Sequence, residues 1–392
     1  MSGTIGRVVF AVLIALGVGS KFFLPPQSGG GAGEAGMGAA EAILSLARFV
    51  LGLALLVMGA DVMVHSAVRL ARALRVSTFV IGVTVVALGT SAPELFTSIG
   101  ATIKGIGGLA VGNVFGSNIA NVGLILGVTA LVRTVPSSRS ALAIDIPLVL
   151  GATALVILAI ADPVFGTRTD SEAALIGPID GLVLVLGLAA YIIYNIRAGR
   201  IDPERVQAEI EADPVAPASA ATENAPTQAA GTKAHPHPLL DALLLLAGLV
   251  GMVLGADQLV VGSSDIARAV GVSEAVIGLT LVALGTSLPE LVLCVQAARC
   301  GHNDIVLGNV LGSNVFNLLA VLGIAALVAP INVPLELVTR DVWIALGFSV
   351  ALLPLMAIRG RLGRPEAAVL LAAYIAYIAF IGLTGHGPTG TV

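Results

Sequence analysis

Residues 81–94 read IGVTVVALGTSAPE, and residues 277–290 read IGLTLVALGTSLPE. Each copy carries one glutamate, Glu94 or Glu290, in a segment apolar enough to lie inside a bilayer. A carboxylate at membrane depth costs a few kcal/mol even on lenient insertion scales, so it is rare and usually functional. Two of them in the same Gly-Thr-Ser-x-Pro-Glu setting predict a paired ion site.

Around this pair the chain is overwhelmingly apolar. Of 392 residues, 57% are hydrophobic and 11% charged, and the mean hydropathy is +0.99. That excludes a soluble domain, and the apolar runs do not alternate as the strands of a membrane barrel must. The fold class expected is an all-α polytopic membrane protein. Ten core runs fall at about 42–64, 76–103, 107–132, 141–161, 174–196, 238–262, 272–298, 304–329, 341–357 and 366–385. An eleventh, 7–24, reads as an uncleaved extra N-terminal helix rather than a signal peptide. Pro93 and Pro289 predict a kink or break in the second and seventh core runs.

The chain divides into the extra helix with a Gly-rich linker (1–41), a first half (42–197), a polar Pro- and Ala-rich linker (198–237) and a second half (238–392). The central linker reads as disordered and too short for a folded regulatory domain. His235 and His237 read there as solvated side chains rather than a metal tract. Cys294 and Cys300, six residues apart, point to different helical faces and read as apolar filler. Arginines concentrate after odd-numbered runs: Arg69, Arg72 and Arg75, then Arg133 and Arg139, then Arg197, Arg200 and Arg205, then Arg299, then Arg359, Arg361 and Arg364. By the positive-inside rule those loops, the central linker included, are cytoplasmic, and the C-terminus is outside.

The halves are duplicates. A single ungapped offset of 196 residues relates Asp61 to Asp257, Glu94 to Glu290, Asn113 to Asn309, Asn121 to Asn317 and Gly127 to Gly323, and 14 of 19 positions are identical between 76–94 and 272–290. Each half holds five runs. An odd number sends the second copy into the membrane from the opposite side, so the halves are inverted repeats with the ion site near the midplane.

In a helix Thr90 and Ser91, four and three residues before Glu94, share its face, with Ala87 one turn further back. Pro93 lacks an N–H, which frees a carbonyl near the carboxylate. The second copy repeats this with Ala283, Thr286, Ser287 and Glu290. The following runs add GNVFGSNIAN (112–121) and GNVLGSNVFN (308–317). They place Asn113, Ser117 and Asn121 on one face, mirrored by Asn309, Ser313 and Asn317. The pairs Gly112/Gly116 and Gly308/Gly312 have the G-x-x-x-G spacing that lets another helix approach closely. Asn118 and Asn314 fall off the polar face and read as packing or capping residues. Asp61 and Asp257 are read equally as access-pathway or interfacial residues. An all-oxygen set without His or Cys selects hard cations, Na⁺ or Ca²⁺, over zinc or copper. Two carboxylates balance one Ca²⁺, and the same oxygens suit several Na⁺. The competing reading is hydroxyls bonded back to their own helices and asparagines bonded between helices.

GTSAPE and GTSLPE, followed by GNVFGSN and GNVLGSN, resemble the two α-repeats of the sodium/calcium exchanger family, within the cation/calcium antiporters. The resemblance covers the whole ten-run core. It implies ten transmembrane helices as two inverted five-helix repeats, and electrogenic Na⁺/Ca²⁺ antiport across the cytoplasmic membrane. It also implies cation ligands at Thr90, Ser91, Glu94, Ser117, Asn121, Thr286, Ser287, Glu290, Ser313 and Asn317, with the carbonyls of Ala87 and Ala283. The first and sixth core runs are then the moving gate. Many family members carry Asp at one of the positions of Asn121 and Asn317. Asparagine at both leaves this site less acidic by up to one charge, which bears on stoichiometry and potassium dependence. The bilayer is the expected environment, with Ca²⁺ and Na⁺ as cargo, no cofactor and no nucleic acid. Two alternatives stand beside this reading: proton coupling on the same fold, and a cation channel or membrane sensor. Confinement of the polar faces to four runs argues against a channel, and the short linker argues against a sensor.

Overall fold

The computed structural model describes residues 39–137, 141–161, 173–198, 237–270 and 283–384. The extra helix expected at 7–24, the central linker and the start of the second glutamate motif lie outside these. With no water in the bilayer core, every backbone polar group must be paired within the chain, and helices do this. In order they are α1 (Ala39–Leu74), α2 (Thr78–Thr90), α3 (Ala92–Ile103), α4 (Gly107–Val132), α5 (Ala141–Ile160), α6 (Pro178–Ala198), α7 (Pro238–Ala269), α8 (Leu288–Cys300), α9 (Asn303–Val328), α10 (Leu337–Ala357) and α11 (Arg364–Thr384). Eight are long and apolar enough to cross a membrane, and α2 with α3 forms a ninth, bent span. The counterpart of that bent span is described in part, as a short turn Ala283–Gly285 followed by α8. The architecture is the expected all-α polytopic one, with nine spans among the described residues.

Three features depart from the sequence expectation. First, α1 and α7 outrun their apolar stretches. At 36 residues α1 is about 54 Å long, against a hydrocarbon core of about 30 Å. Arg69 and Arg72, expected in the loop, are in its last turns because the segment HSAVRLARAL is made of good helix formers. Second, the fifth run opens as a strand. Ala173–Ile176 (β2) pairs antiparallel with Ile331–Pro334 (β3), and Val135–Pro136 (β1) pairs with Arg361–Leu362 (β4). Each of these two ribbons joins one half to the other. Third, several spans contain a wide π-helical turn. Those at Asn121–Leu126 and Ala141–Asp145 recur at Phe316–Val321 and Leu337–Asp341.

The inversion is visible in the contacts. A Cβ on Gly52 would lie 2.7 Å from the carbonyl oxygen of Gly255, and one on Gly59 2.7 Å from that of Gly248. Gly52 and Gly248 are equivalent under the 196-residue offset, as are Gly59 and Gly255, so α1 and α7 meet antiparallel on a pseudo-two-fold axis. Their outer faces carry exposed Ile43, Leu46, Val50, Leu53 and Val57, and Leu239, Leu243 and Leu246, at the spacing of a lipid-facing stripe. By contrast, an 18-residue apolar stretch of α4 is 78% buried and one of α9 is 89% buried, against 28–39% for such stretches of the other six long spans. The α4–α9 pair is therefore the centre, and the rest of the chain packs around it.

Candidate cation site

The glutamate motif breaks where its proline requires. Helix α2 ends at Thr90, and Ser91 leaves helical geometry with φ −82° and ψ 4°. The chain restarts as α3, bent by 44°. Pro93 then occupies the first turn of a new helix, where a missing N–H costs nothing. Ser287 repeats the break with φ −89° and ψ 1°, ahead of Pro289. Such discontinuities inside a membrane bundle offer helix-end carbonyls to cations. The Ala87 carbonyl accepts the Ser91 N–H at 3.0 Å and the Thr90 hydroxyl at 3.4 Å. Ala283 begins the short turn that precedes the second break.

Close approach of the central helices follows from glycine. A Cβ on Gly312 would meet Ala87 Cβ at 2.8 Å and the Val83 carbonyl at 2.8 Å, and one on Gly308 would meet the Phe79 carbonyl at 2.7 Å. Helix α2 thus lies directly on α9, as the G-x-x-x-G spacing predicts. Glu94 and Glu290 are 1% and 2% exposed, and Glu290 is near enough to feel the charge of Glu94. Each glutamate is faced by a hydroxyl of the opposite half's broken helix, and Glu94 also by Ser117 of its own half. Thr286 and Ser117 face Glu94, while Thr90 and Ser91 face Glu290. The break at Ser91 lets Thr90 and Ser91 meet the glutamate of the other half. Thr90 also donates to Asn309 Oδ1 at 3.1 Å.

Asn113 and Asn309 are braces. Asn113 Nδ2 donates to the Glu94 carbonyl at 3.2 Å and to Ser98 Oγ at 3.0 Å, fixing α3 against α4. Asn309 Nδ2 reaches Cys294 Sγ at 3.4 Å. Cys294 stands where Ser98 stands in the first half, so this filler cysteine has a hydrogen-bonding place. Asn118 and Asn314 belong to the polar layer rather than lying off it. Asn121 Nδ2 donates to Asn314 Oδ1 at 2.9 Å, and Asn317 Nδ2 donates to Asn118 Oδ1 at 3.1 Å. These bonds exchange under the two-fold and fix the α4–α9 crossing. They also engage the amide nitrogens of Asn121 and Asn317, leaving the oxygens as the atoms able to meet a cation.

The layer holds more oxygen than it uses. Among the described residues, Ser91 Oγ, Glu94 Oε2, Glu290 Oε2, Ser313 Oγ and Asn317 Oδ1 are buried without a hydrogen-bond partner, and neither glutamate enters a described ion pair. Buried unpaired acceptors are costly, and each carboxylate costs several kcal/mol unless a positive partner joins it. A clustered surplus of anionic and neutral oxygens, with no cationic side chain set against it, is chemistry for binding a hard cation.

Residues 44–197 and 240–383 match the protein family described as sodium/calcium exchanger protein. The chain belongs to the sodium/calcium exchanger family. Among its relatives, the putative antiporter CaxA of Alkalimonas amylolytica is 36% identical over 317 residues, covering 80% of this chain and 91% of the relative. The sodium/calcium exchanger MaX1 of Methanosarcina acetivorans is 32% identical over 327 residues, covering 81% and 92%. Among solved structures, the sodium-calcium exchanger NCX_Mj soaked with zero Na⁺ and Ca²⁺ superposes with a TM-score of 0.67 at 31% identity, covering 87% of this chain and 99% of that one. The same exchanger soaked with 10 mM Na⁺ and 10 mM Sr²⁺ gives 0.66 at 32% identity. These family members are ion exchangers, so the activity to be explained is movement of cations across a membrane and not enzymatic catalysis.

Proposed function

We propose that this exchanger-family protein moves Ca²⁺ against Na⁺ across the cytoplasmic membrane by alternating access, with both cations using the oxygen layer between α4 and α9. One observation carries the reading: Glu94 and Glu290 converge, buried and without a basic partner among the described residues, each faced by at least one hydroxyl of the opposite half. Calcium takes about six to eight oxygens at roughly 2.4 Å. The two carboxylates, the hydroxyls of Thr90, Ser91, Ser117, Thr286, Ser287 and Ser313, the amide oxygens of Asn121 and Asn317, and the carbonyls of Ala87 and Ala283 supply more than that number. Sodium ions occupy the same oxygens in turn, so the two cargoes exclude each other.

Alternating access needs a part that moves against the site. The α1–α7 pair fits this role, because its axis contacts are glycine against backbone and its outer face is apolar. The arginine distribution supports a cytoplasmic central linker between the two halves and an outward C-terminus. MaX1 and NCX_Mj, both named as sodium–calcium exchangers, support sodium as the coupling ion. The test is Ca²⁺ uptake into proteoliposomes driven by an outward Na⁺ gradient, with the pH gradient collapsed. Uptake that follows the Na⁺ gradient is expected. Uptake that follows only a proton gradient would contradict sodium coupling, and gradient-independent leak would contradict antiport.

A further inference from the structure

Away from the oxygen layer, Asp61 and His65 of α1 and Cys300 at the end of α8 bring one ligand atom each to within 4.8 Å of one another. This donor set is unlike that of the transport layer. It combines imidazole, thiol and carboxylate, the choice for a borderline-soft metal of the zinc class. Four observations point to a ligand. Asp61 and His65 are four residues apart on one helical face, and His65 Nδ1 meets the Asp61 carbonyl at 2.7 Å. A nitrogen facing a carbonyl donates, so Nε2 keeps the lone pair that coordinates a metal. The amide nitrogen of Gln296 already stands between two acceptors, 2.9 Å from Asp61 Oδ1 and 3.7 Å from Cys300 Sγ, marking a point at which both aim. Beyond Cys300, Gly301 adopts φ +88° and folds the chain back, so that the His302 N–H reaches the Ala297 carbonyl at 2.9 Å. His302 Nε2 is buried without a partner, and its ring is near enough to His65 to feel its charge.

The cluster has no mirror image. Under the 196-residue offset Asp257 matches Asp61, while Val261, Lys104 and Ile106 stand in place of His65, Cys300 and His302. Transport chemistry in this chain is written twice, and this cluster is written once. The side chains of Asp61 and His65 are 21% and 27% exposed, which leaves the place open to an ion from solution. Tetrahedral zinc with bonds of about 2.0–2.3 Å holds its ligands about 3.3–3.8 Å apart. The 4.8 Å grouping is wider than that, so metal binding requires the three side chains to draw together and Gln296 to swing aside.

We propose that Asp61, His65 and Cys300, completed by His302, form a transition-metal site that staples α1 to the turn between α8 and α9 and so holds exchange in check. The binding claim stands on the cluster alone. The restraint of exchange rests on the reading of α1 as a moving helix. The test uses the purified full-length protein with Ca²⁺ present to keep the transport layer occupied. Zinc is titrated calorimetrically, and cadmium is titrated while its thiolate charge-transfer absorption is followed. One equivalent of metal and one thiolate band are expected. His65→Ala and Cys300→Ser should each weaken binding by about tenfold or more, since losing a ligand outweighs the tenfold to hundredfold cost of losing an outer-shell partner. His235→Ala with His237→Ala should change nothing. Absence of binding, binding that survives both site variants, or binding abolished by the linker variants would overturn the site. In proteoliposomes zinc should slow Na⁺-driven Ca²⁺ uptake, with relief in Cys300→Ser. Metal that binds without slowing uptake would overturn the staple. No uptake before zinc is added would instead count against the transport reading and leave the binding result standing.

Discussion

The α4–α9 pair and the α1–α7 pair are each two copies of one helix meeting across the same pseudo-two-fold axis, yet they are built oppositely. At the α4–α9 crossing the contacts are polar and directional: Asn121 to Asn314, Asn317 to Asn118, with carboxylate and hydroxyl oxygens left over. At the α1–α7 crossing the contacts are glycine against backbone, at Gly52, Gly59, Gly248 and Gly255, and the described side-chain bonds between the two helices stand at their ends. There Arg69 pairs with Asp241 at 2.5 Å, and Asp265 takes Ser45 at 3.3 Å and Arg48 at 3.5 Å. Ser45 and Asp241 are equivalent positions, as are Arg69 and Asp265, so the two end clasps are one contact seen twice with changed residues. At the glycine seam itself the contacts are non-directional, and the directional bonds stand at its ends. Duplication therefore produced two kinds of interface from one symmetry, one bonded across its centre and one bonded at its ends.

The largest expected effect removes the surplus charge of the centre. Glu94→Gln and Glu290→Gln should each cut Na⁺-driven Ca²⁺ uptake by at least about a hundredfold, equivalent to about 2.8 kcal/mol. Equal losses are expected because the glutamates are symmetric. Next, Gly59→Leu should force α1 and α7 apart, since even a Cβ meets the Gly248 carbonyl at 2.7 Å. Overpacking of this kind costs about 1–3 kcal/mol, read as a lower unfolding temperature in detergent with uptake reduced and Ca²⁺ binding retained. A subtler break is Asn121→Asp. It removes the amide that donates to Asn314 Oδ1 at 2.9 Å and should cost about 1–3 kcal/mol without Ca²⁺. Added Ca²⁺ should restore more stability than in the unaltered protein, as the new carboxylate gains a cation. Smallest is Arg69→Gln at one clasp. The Arg69 side chain is 40% exposed, so the loss should stay within about 1 kcal/mol in thermal unfolding.

Much of this was readable from the chain because the duplication is ungapped: the run count, the inversion and the oxygen character of the site all follow from the 196-residue offset and residue types. What escaped is what the offset hides. It aligns Thr90 with Thr286 and Asn121 with Asn317, whereas inversion sets Thr90 against Glu290 and Asn121 against Asn314. A one-dimensional alignment pairs equivalent residues, and a two-fold axis brings non-equivalent ones together. The direction of the Thr90 and Ser91 hydroxyls escaped for a second reason. Their face depends on a break at Ser91, and proline at 93 signals a break without giving its position. The π-helical turns at 121–126 and 316–321 leave no signature in hydropathy, because one extra residue per turn does not change which residues are apolar. The helical extension to Leu74 was masked by arginines that read as a loop, although the Arg69 side chain serves the Asp241 clasp.

The central claim is that one symmetric oxygen layer, drawn equally from both halves, binds either calcium or sodium. Equilibrium binding of radioactive Ca²⁺ to the purified protein, with Na⁺ as competitor, tests it most directly. One Ca²⁺ per chain is predicted, displaced cooperatively by Na⁺ and lost alike in Glu94→Gln and Glu290→Gln. Calcium retained at full affinity in either variant, or left undisturbed by Na⁺, would contradict it.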